Sequence, residues 1–436
     1  MAVTETALFA GLAADFELRL LLIPLITGLI GYATNWVAIR FLFYPLDFVG
    51  VRVPGLKTIA PSLPRKLRQI PGVMKGKVGW QGIIPSRSEK MGSIAAEKGV
   101  AKIASEREFY EAFDPNLIAT HIVSNSSEEI HEMADEILHQ EYPELWQSMP
   151  AQMRGLIHAR IQAQLPTIAD RITARIGENV NEMLDANEMI TDIIHENPEI
   201  GNRMFLEVGD RELRFVINSG FYIGTFLGFF SIPLFLYIDS WWVLPLAGVV
   251  VGYMTNWIAV NLIFYPLHER KVGPFRLQGI FVRRQQTVAK TYAELVAEQV
   301  VTVGNLAHNL LTGSQSDRTR KMIRDSIRPE VDRAVGLAQP IVRITSGSEQ
   351  YDRVREAFAE EGIDKTLRPL QDPQFNEERS AAIEKLIRER MYELPPEEFV
   401  GLLRPAFEED EWMLFVIGGV LGFVAGWLQL LVVTSV

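Results

Sequence analysis

At 436 residues, 48% of them hydrophobic and 22% charged, the chain has room for more than one domain and matches soluble proteins in its averages. A net charge of −11 argues against a general nucleic-acid binder, and the absence of cysteine excludes disulfides and thiolate metal sites. The averages hide three apolar runs: residues 20–39 and 412–436 carry no charge, and residues 215–267 carry only Asp239. Each run can cross a ~30 Å hydrocarbon layer at 1.5 Å per residue, and the middle one can cross twice. The expected fold is an all-α integral membrane protein with four transmembrane helices and long helical soluble regions.

In chain order, residues 1–17 form an N-terminal segment. Glu5, Asp15 and Glu17 beside a lone Arg19, with no small-residue cleavage pattern, predict that the first span is retained rather than removed as a signal peptide. Membrane helix 1 is expected over 18–46. A soluble region over 47–214 follows, read as helices broken by proline with scarcely any strand alternation. Near its start, Arg65, Lys66, Arg68, Lys75 and Lys77 mix with Ile70, Val73 and Met74. Just inside a membrane this composition can bind anionic lipid headgroups, at roughly 1 kcal/mol per basic residue, or it can act only as a topology signal. His131, Asp135 and His139 fall four apart on one helix face; they would hold a metal if another element supplied further ligands, and a solvated face explains them equally well. Ile161, Leu165, Ile168, Ile172, Ile176, Val180 and Met183 form an apolar stripe whose simplest reading is helix–helix core.

Membrane helix 2 is expected over 215–238 and helix 3 over 241–267. Asp239 and Ser240 make the turn, flanked by Tyr237, Trp241 and Trp242, which suit the headgroup layer. The second soluble region, 268–411, carries the stripe Tyr292, Val296, Val300, Val303, Leu306 and Leu310, read as one helix that Gly313 ends. Membrane helix 4 is expected over 412–433.

Comparing the chain with itself shows an internal repeat. Residues 24–46 (PLITGLIGYATNWVAIRFLFYPL) align without a gap on residues 245–267 (PLAGVVVGYMTNWIAVNLIFYPL), with 12 of 23 positions identical. The identities include Gly31/Gly252, Tyr32/Tyr253, Thr34/Thr255, Asn35/Asn256 and Trp36/Trp257. Gln81-Gly82-Ile83 matches Gln278-Gly279-Ile280, and Gly220, Gly224 and Gly228 match Gly418, Gly422 and Gly426 in four-residue spacing. The unit is span, soluble region, span, used twice. The doubled G-Y-x-T-N-W-x-A motif, the Gln-Gly-Ile-Ile-Pro stretch at 81–85 and the Glu-Phe-x-Gly-Leu-Leu-Arg-Pro-Ala-Phe run at 398–407 resemble the bacterial membrane proteins grouped as domain of unknown function 445. The resemblance implies a mostly helical membrane protein and carries no activity across. Val282 stands where the second copy would repeat the proline, which leaves the shape of that loop open.

Lys and Arg cluster after the first and third spans, at Arg52, Lys57, Arg65 and Lys66 and again at Arg270, Lys271, Arg276, Arg283 and Arg284. Both soluble regions are therefore expected in the cytoplasm of a bacterial inner membrane, with both termini outside and the halves arranged as parallel repeats.

Within the spans, Gly31, Asn35 and Ala38 share one face, as do Gly252, Asn256 and Ala259. One reading is close helix packing with the asparagines as interhelical glue, aided by the three glycines of each partner span. The other is a pseudo-symmetric polar site on a substrate or ion path. A two-fold axis would bring the two amides close enough to bond each other. No nucleophile, phosphate-loop, dinucleotide or zinc-protease pattern occurs in a supporting context, so neither catalysis nor a cofactor is expected. The leading functional reading is a non-enzymatic membrane-anchored scaffold whose helices bind a protein partner or form a homo-oligomer. The alternative is a transporter, channel or lipid-handling protein that uses the interface between the repeats.

Overall fold

A computed structural model describes residues 2–52, 64, 70–238, 240–335, 348–365, 368–408 and 411–435. It is almost wholly helical. Among the described residues, four helices are long and apolar enough to cross a membrane: α1 (Ala2–Phe43), α4 (Asp210–Tyr237), α5 (Val243–Phe264) and α11 (Glu411–Ser435). Between α1 and α4 lie α2 (Pro115–Glu141) and α3 (Ala151–Met183). Between α5 and α11 lie α6 (Gln285–Gln299), α7 (Val303–Thr312), α8 (Ser316–Val335), α9 (Ser348–Lys365) and α10 (Pro373–Glu393).

The chain divides into two compact units. The first gathers Met1–Lys98, Ile194–Val288 and Leu394–Val436 and holds all four membrane helices. In it α1 packs on α4 and α5 packs on α11, and these two pairs touch through α4 and α5 and through α1 and α11. Both α1 and α5 stop before a Tyr-Pro step, because proline disfavours helical backbone in the residue that precedes it. The Phe-Tyr-Pro-Leu segments at 43–46 and 264–267, read from sequence as helix ends, are thus turns out of the helix.

A short antiparallel ribbon follows each turn, which helical patterning had not suggested. β1 (Val49–Arg52) pairs with β2 (Lys77–Trp80), and β3 (Arg270–Val272) pairs with β4 (Phe275–Leu277). Strands of three or four residues are too short to show a period in sequence. In the first ribbon the register opposes Gly50 to Gly79, and a Cβ on Gly79 would lie 2.2 Å from the Val49 carbonyl oxygen, so the strands meet where neither carries a side chain.

The second unit joins Gly99–Ile193 to Ala289–Glu393, so chain from both soluble regions builds one helical body. Its core mixes the two. Ile172 of α3 packs with Leu311, Ile323, Ile327 and Ile363, and Ile130, Met133 and Ile137 of α2 pack with Leu165 and Val354. Buried Glu330 receives hydrogen bonds from Arg171 and Arg333, which compensates a carboxylate removed from water. Local signals start the helices. Asp114 caps Pro115–Glu141 by accepting from the Asn116 N–H at 3.2 Å, and Ser105 and Glu108 form a reciprocal capping box one helix earlier. The Ser105 bonds, more than the nearby Arg390 charge, hold the Glu108 carboxyl below the usual carboxylate range.

The stripe from Tyr292 to Leu310 is not one helix. It breaks between α6 and α7, where Thr302 becomes an N-cap accepting from the Asn305 N–H at 3.1 Å. The Asn305 amide donates back to the Gln299 and Val300 carbonyls at 3.1 and 2.9 Å, closing the end of α6. One residue thus satisfies backbone groups on both sides of the break, and an apolar periodicity cannot register it.

Candidate functional site

The doubled motif sorts its residues by face. Asn35, Ala38, Asn256 and Ala259 are fully buried, as is Thr255, and Thr34 is nearly so, whereas Tyr32, Trp36, Tyr253 and Trp257 are exposed on the outside of their helices. On the inner face the backbones meet. A Cβ placed on Gly31 or on Gly220 would lie 2.3 Å from the other's carbonyl oxygen. A Cβ on Gly252 would lie 2.1 Å from the Gly418 carbonyl oxygen, and one on Gly248 or Gly422 would lie 2.1 Å from the other's. No real Cβ tolerates such distances to a backbone, so only glycine permits these crossings. Gly224 is looser, 3.0 Å from the Thr27 carbonyl oxygen; Gly228 would meet Pro24 Cα at 2.7 Å and Gly426 the Leu244 carbonyl at 2.5 Å.

The asparagines depend on these glycines. The Asn35 amide donates to the Val216 carbonyl at 2.8 Å, and the Asn256 amide donates to the Leu414 carbonyl at 3.1 Å. A Cβ on Gly220 would stand 2.8 Å from Asn35 Nδ2, and one on Gly418 would stand 2.3 Å from Asn256 Nδ2, so each glycine also clears the path of an amide. The expected direct bond between the two amides is absent among the described residues. Each donates one N–H to the helix it crosses, and both Oδ1 atoms lack a hydrogen-bond partner among the described residues. The reason is reach: a short side chain at a glycine crossing meets the adjacent backbone first. Thr34 and Thr255 donate to the Gly31 and Gly252 carbonyls at 3.1 and 3.2 Å.

Sequence reasoning missed a third polar group. Gln429 of α11 donates to Thr27 Oγ1 of α1 at 3.3 Å, and Thr27 donates to the Ile23 carbonyl at 2.7 Å. Thr27, Thr34, Ser231 and Gln429 border a cavity of about 10 Å³ among the membrane helices, room for about one water. The signal was present in sequence as a polar residue inside each apolar run, but nothing there pairs position 27 with position 429.

Where the helices end, the Gln-Gly matches take on a use. The Gln81 side-chain amide donates to the Leu46 carbonyl at 2.6 Å and that of Gln278 to the Leu267 carbonyl at 3.2 Å; the N–H groups of Gly82 and Gly279 donate to Pro45 and Pro266, both at 2.9 Å. A Cβ on Gly82 or Gly279 would lie 2.6 or 2.7 Å from the Phe43 or Phe264 carbonyl carbon. Each Gln-Gly pair therefore clasps a Tyr-Pro turn. The short helices Ile83–Ser86 and Ile280–Arg283 follow in both places, so Val282 in place of proline leaves the turn intact. The Arg284 guanidinium, beyond the second clasp, donates to both oxygens of buried Glu212, each at 2.8 Å, at the start of α4.

The chain is a helical membrane protein. Its sequence is similar to "UPF0754 membrane protein" of Synechococcus sp. strain JA-2-3B'a(2-13), 34% identical over 95 residues that make up 20% of this chain and 23% of the relative. It is also similar to UPF0754 membrane proteins of Rippkaea orientalis, 33% identical over 85 residues, and of Picosynechococcus sp. strain PCC 7002, 33% identical over 86 residues; each match covers 18% of this chain and 20% of the relative. The matches thus span about a fifth of the length of these curated relatives, which mark an uncharacterised bacterial membrane family. No family model and no solved structure matches the chain.

The remaining sequence candidates separate. His131, Asp135 and His139 do not converge: Asp135 bonds His158 Nε2 at 2.8 Å, the His131 ring stacks on His158 with centroids 4.7 Å apart, and His139 is exposed. Among the described residues no group of three His, Asp or Glu side chains is placed to hold a metal. His131 and Asp135 both meet His158 of α3, while His139, one turn further along α2, is exposed. Of the basic stretch, Arg65, Lys66 and Arg68 lie outside the described residues, as does the Lys75 side chain; Lys77 Nζ sits 5.3 Å from the centre of the Phe48 ring.

Proposed function

We propose that the chain is a non-enzymatic scaffold of the bacterial inner membrane, whose cytoplasmic helices hold a protein partner or a second copy of the chain. The supporting observation is how the buried polar groups of the membrane helices are used. Each asparagine donates an N–H to neighbouring backbone, the crossings leave no space for a side chain, and the small cavity between the helices admits about one water. That arrangement suits a fixed anchor better than a path for solute. Within the coarser membrane family, the motifs support the finer reading of a domain of unknown function 445 protein built from two parallel repeats, with the same contacts recurring at matched positions. The basic residues after α1 and α5 support cytoplasmic soluble regions and contact with anionic lipid headgroups.

Two measurements test this reading. In the cysteine-free background, Ser240→Cys and Ser435→Cys should react with an impermeant maleimide in intact cells, while Ser314→Cys should not; the opposite pattern inverts the orientation. In proteoliposomes the protein should show no specific solute flux. A flux abolished by Asn35→Ala or Asn256→Ala would replace the scaffold with the alternative, a transporter, channel or lipid-handling protein working between the repeats.

A further inference from the structure

The ribbon that follows α1 has one covered side and one open side. In the register of β1 and β2, Val49 opposes Trp80 and Val51 opposes Val78, and opposed residues of an antiparallel pair lie on the same side of the sheet. Gly50, Gly79 and Lys77 therefore take the other side. That side is occupied. A Cβ on Gly50 or Gly79 would lie 2.8 or 3.0 Å from the Phe48 ring, and Lys77 Nζ stands over the same ring. The valine side is open: Val49, Val51 and Val78 are 65, 74 and 61% exposed.

Single apolar residues at a surface are ordinary, but these three and Trp80 are neighbours in one ladder and make a continuous patch. A two-stranded ribbon has no core of its own in which to bury them.

The patch has a fixed place beside the first membrane helix. Trp80 Nε1 donates to the Phe41 carbonyl in the last turn of α1 at 3.1 Å, and the two rings lie 5.6 Å apart. Phe41 is itself exposed and belongs to the apolar span from Ile23 to Phe43, along which Leu25, Leu29 and Trp36 are also exposed. The apolar side of the ribbon thus begins where the exposed apolar surface of α1 ends. A tryptophan, whose amphipathic ring suits the headgroup layer, joins the two. The second ribbon differs at the matching place. Arg270 stands where the first copy has Val49, opposite Leu277 in the place of Trp80, so a charge interrupts the equivalent surface.

We propose that the valine side of β1–β2 lies against the bilayer at the boundary between headgroups and acyl tails, as an interfacial anchor beside α1. The partner is the lipid surface because the patch continues the exposed side of a membrane span. Held there, the ribbon fixes the depth at which α1 leaves the bilayer, and with it the clasped Tyr-Pro turn. The proposal rests on α1 crossing the membrane and not on the scaffold reading.

The test uses the full chain, which has no cysteine, in vesicles of phosphatidylcholine. That lipid carries no net charge, so the apolar face is read apart from any contact with anionic headgroups. Val49→Cys, Val51→Cys and Val78→Cys each carry a nitrobenzoxadiazole label, with Leu29→Cys on α1 as the lipid reference and Ser314→Cys as the water reference. The ribbon labels should lose most of their emission to phosphatidylcholine bearing a nitroxide high in one acyl tail. To iodide, present on both sides of the vesicle, they should lose several-fold less than Ser314→Cys. Iodide quenching equal to that at Ser314→Cys would overturn the proposal. So would shielding from both quenchers, or shielding that grows with the protein-to-lipid ratio, because a protein surface then covers the face. A second readout guards against insertion by the label itself. With Val51→Glu and Val78→Glu added on the exposed side, the label at Val49→Cys should become open to iodide, and a label still quenched by the nitroxide lipid alone would overturn the proposal. Failure here leaves the scaffold reading standing, since its maleimide and flux tests do not involve the ribbon.

Discussion

The two membrane helix pairs share a motif but achieve contact differently. Where α5 and α11 cross, Gly248 faces Gly422 and Gly252 faces Gly418, so backbone lies on backbone over a full turn. Where α1 and α4 cross, Gly31 faces Gly220 in the same manner, but the position that aligns with Gly248 is Thr27, and Gly224 stands off from its carbonyl at 3.0 Å. At the next residue of each helix, Gly28 instead meets the Thr225 hydroxyl, at 2.1 Å from an added Cβ. The second pair is closed by glycine alone. The first trades one glycine contact for two hydroxyls, and Thr27 uses its own to accept from Gln429 of the other pair. A pair that is less tight internally is thus the one that offers a polar link outward.

The sharpest test of that difference compares matched glycines. Gly422→Ile would drive a side chain into the Gly248 carbonyl and should exceed the ~1–3 kcal/mol usual for overpacking, appearing as a lost or strongly lowered thermal transition in detergent. Gly224→Ile should fall within that range, because its nearest neighbour is 3.0 Å away, and Phe226→Ile on the exposed face should stay within about 0.5 kcal/mol. Equal melting temperatures for the two glycine variants would erase the distinction between the pairs.

A comparable effect is expected from giving the second pair the residue of the first. Gly248→Thr should likewise exceed the ~1–3 kcal/mol usual for overpacking, since its Cβ meets the Gly422 carbonyl oxygen at the same 2.1 Å and that oxygen belongs to backbone that cannot turn aside. A neutral result, measured by the same thermal transition, would mean that α5 and α11 can separate to the spacing of α1 and α4.

The smallest effect concerns the amides. Asn35→Ala and Asn256→Ala should each destabilise by only about 0.6 kcal/mol, the average for a side-chain hydrogen bond in a membrane protein. Because the two amides donate to different carbonyls, Val216 and Leu414, the double variant should equal the sum of the singles within about 0.3–0.5 kcal/mol. A double variant losing clearly less would reveal a bond shared between the pairs.

Much of the membrane region is legible in the sequence. Hydrophobic runs of this length have few alternatives, and helical periodicity places Gly31, Asn35 and Ala38 on one face and Tyr32 and Trp36 off it. The soluble region was less so. An apolar stripe on α3 announces burial but not whether the facing helix fills the space, and the same side chains Leu165, Ile168 and Ile172 serve both a packed core and the wall of a cavity. The ribbons β1–β2 and β3–β4 were invisible because pairing of strands this short is decided by the clasped turns beside them rather than by propensity.

By itself the sequence determined the class of protein, the number of apolar spans, the doubled motif and the face on which its small and polar residues stand. These follow from local quantities, the length of an uncharged run and a 3.6-residue period, which every segment carries independently of the rest. Only the tertiary structure decided what each polar group bonds. Asn35 and Asn256 each stop at the nearest carbonyl instead of reaching each other, Gln429 finds Thr27 across 402 residues of chain, and helices from both soluble regions merge into one unit. Hydrogen bonds and packing depend on separations of a few tenths of an ångström between segments remote in the chain, and those are fixed only when the backbones have met.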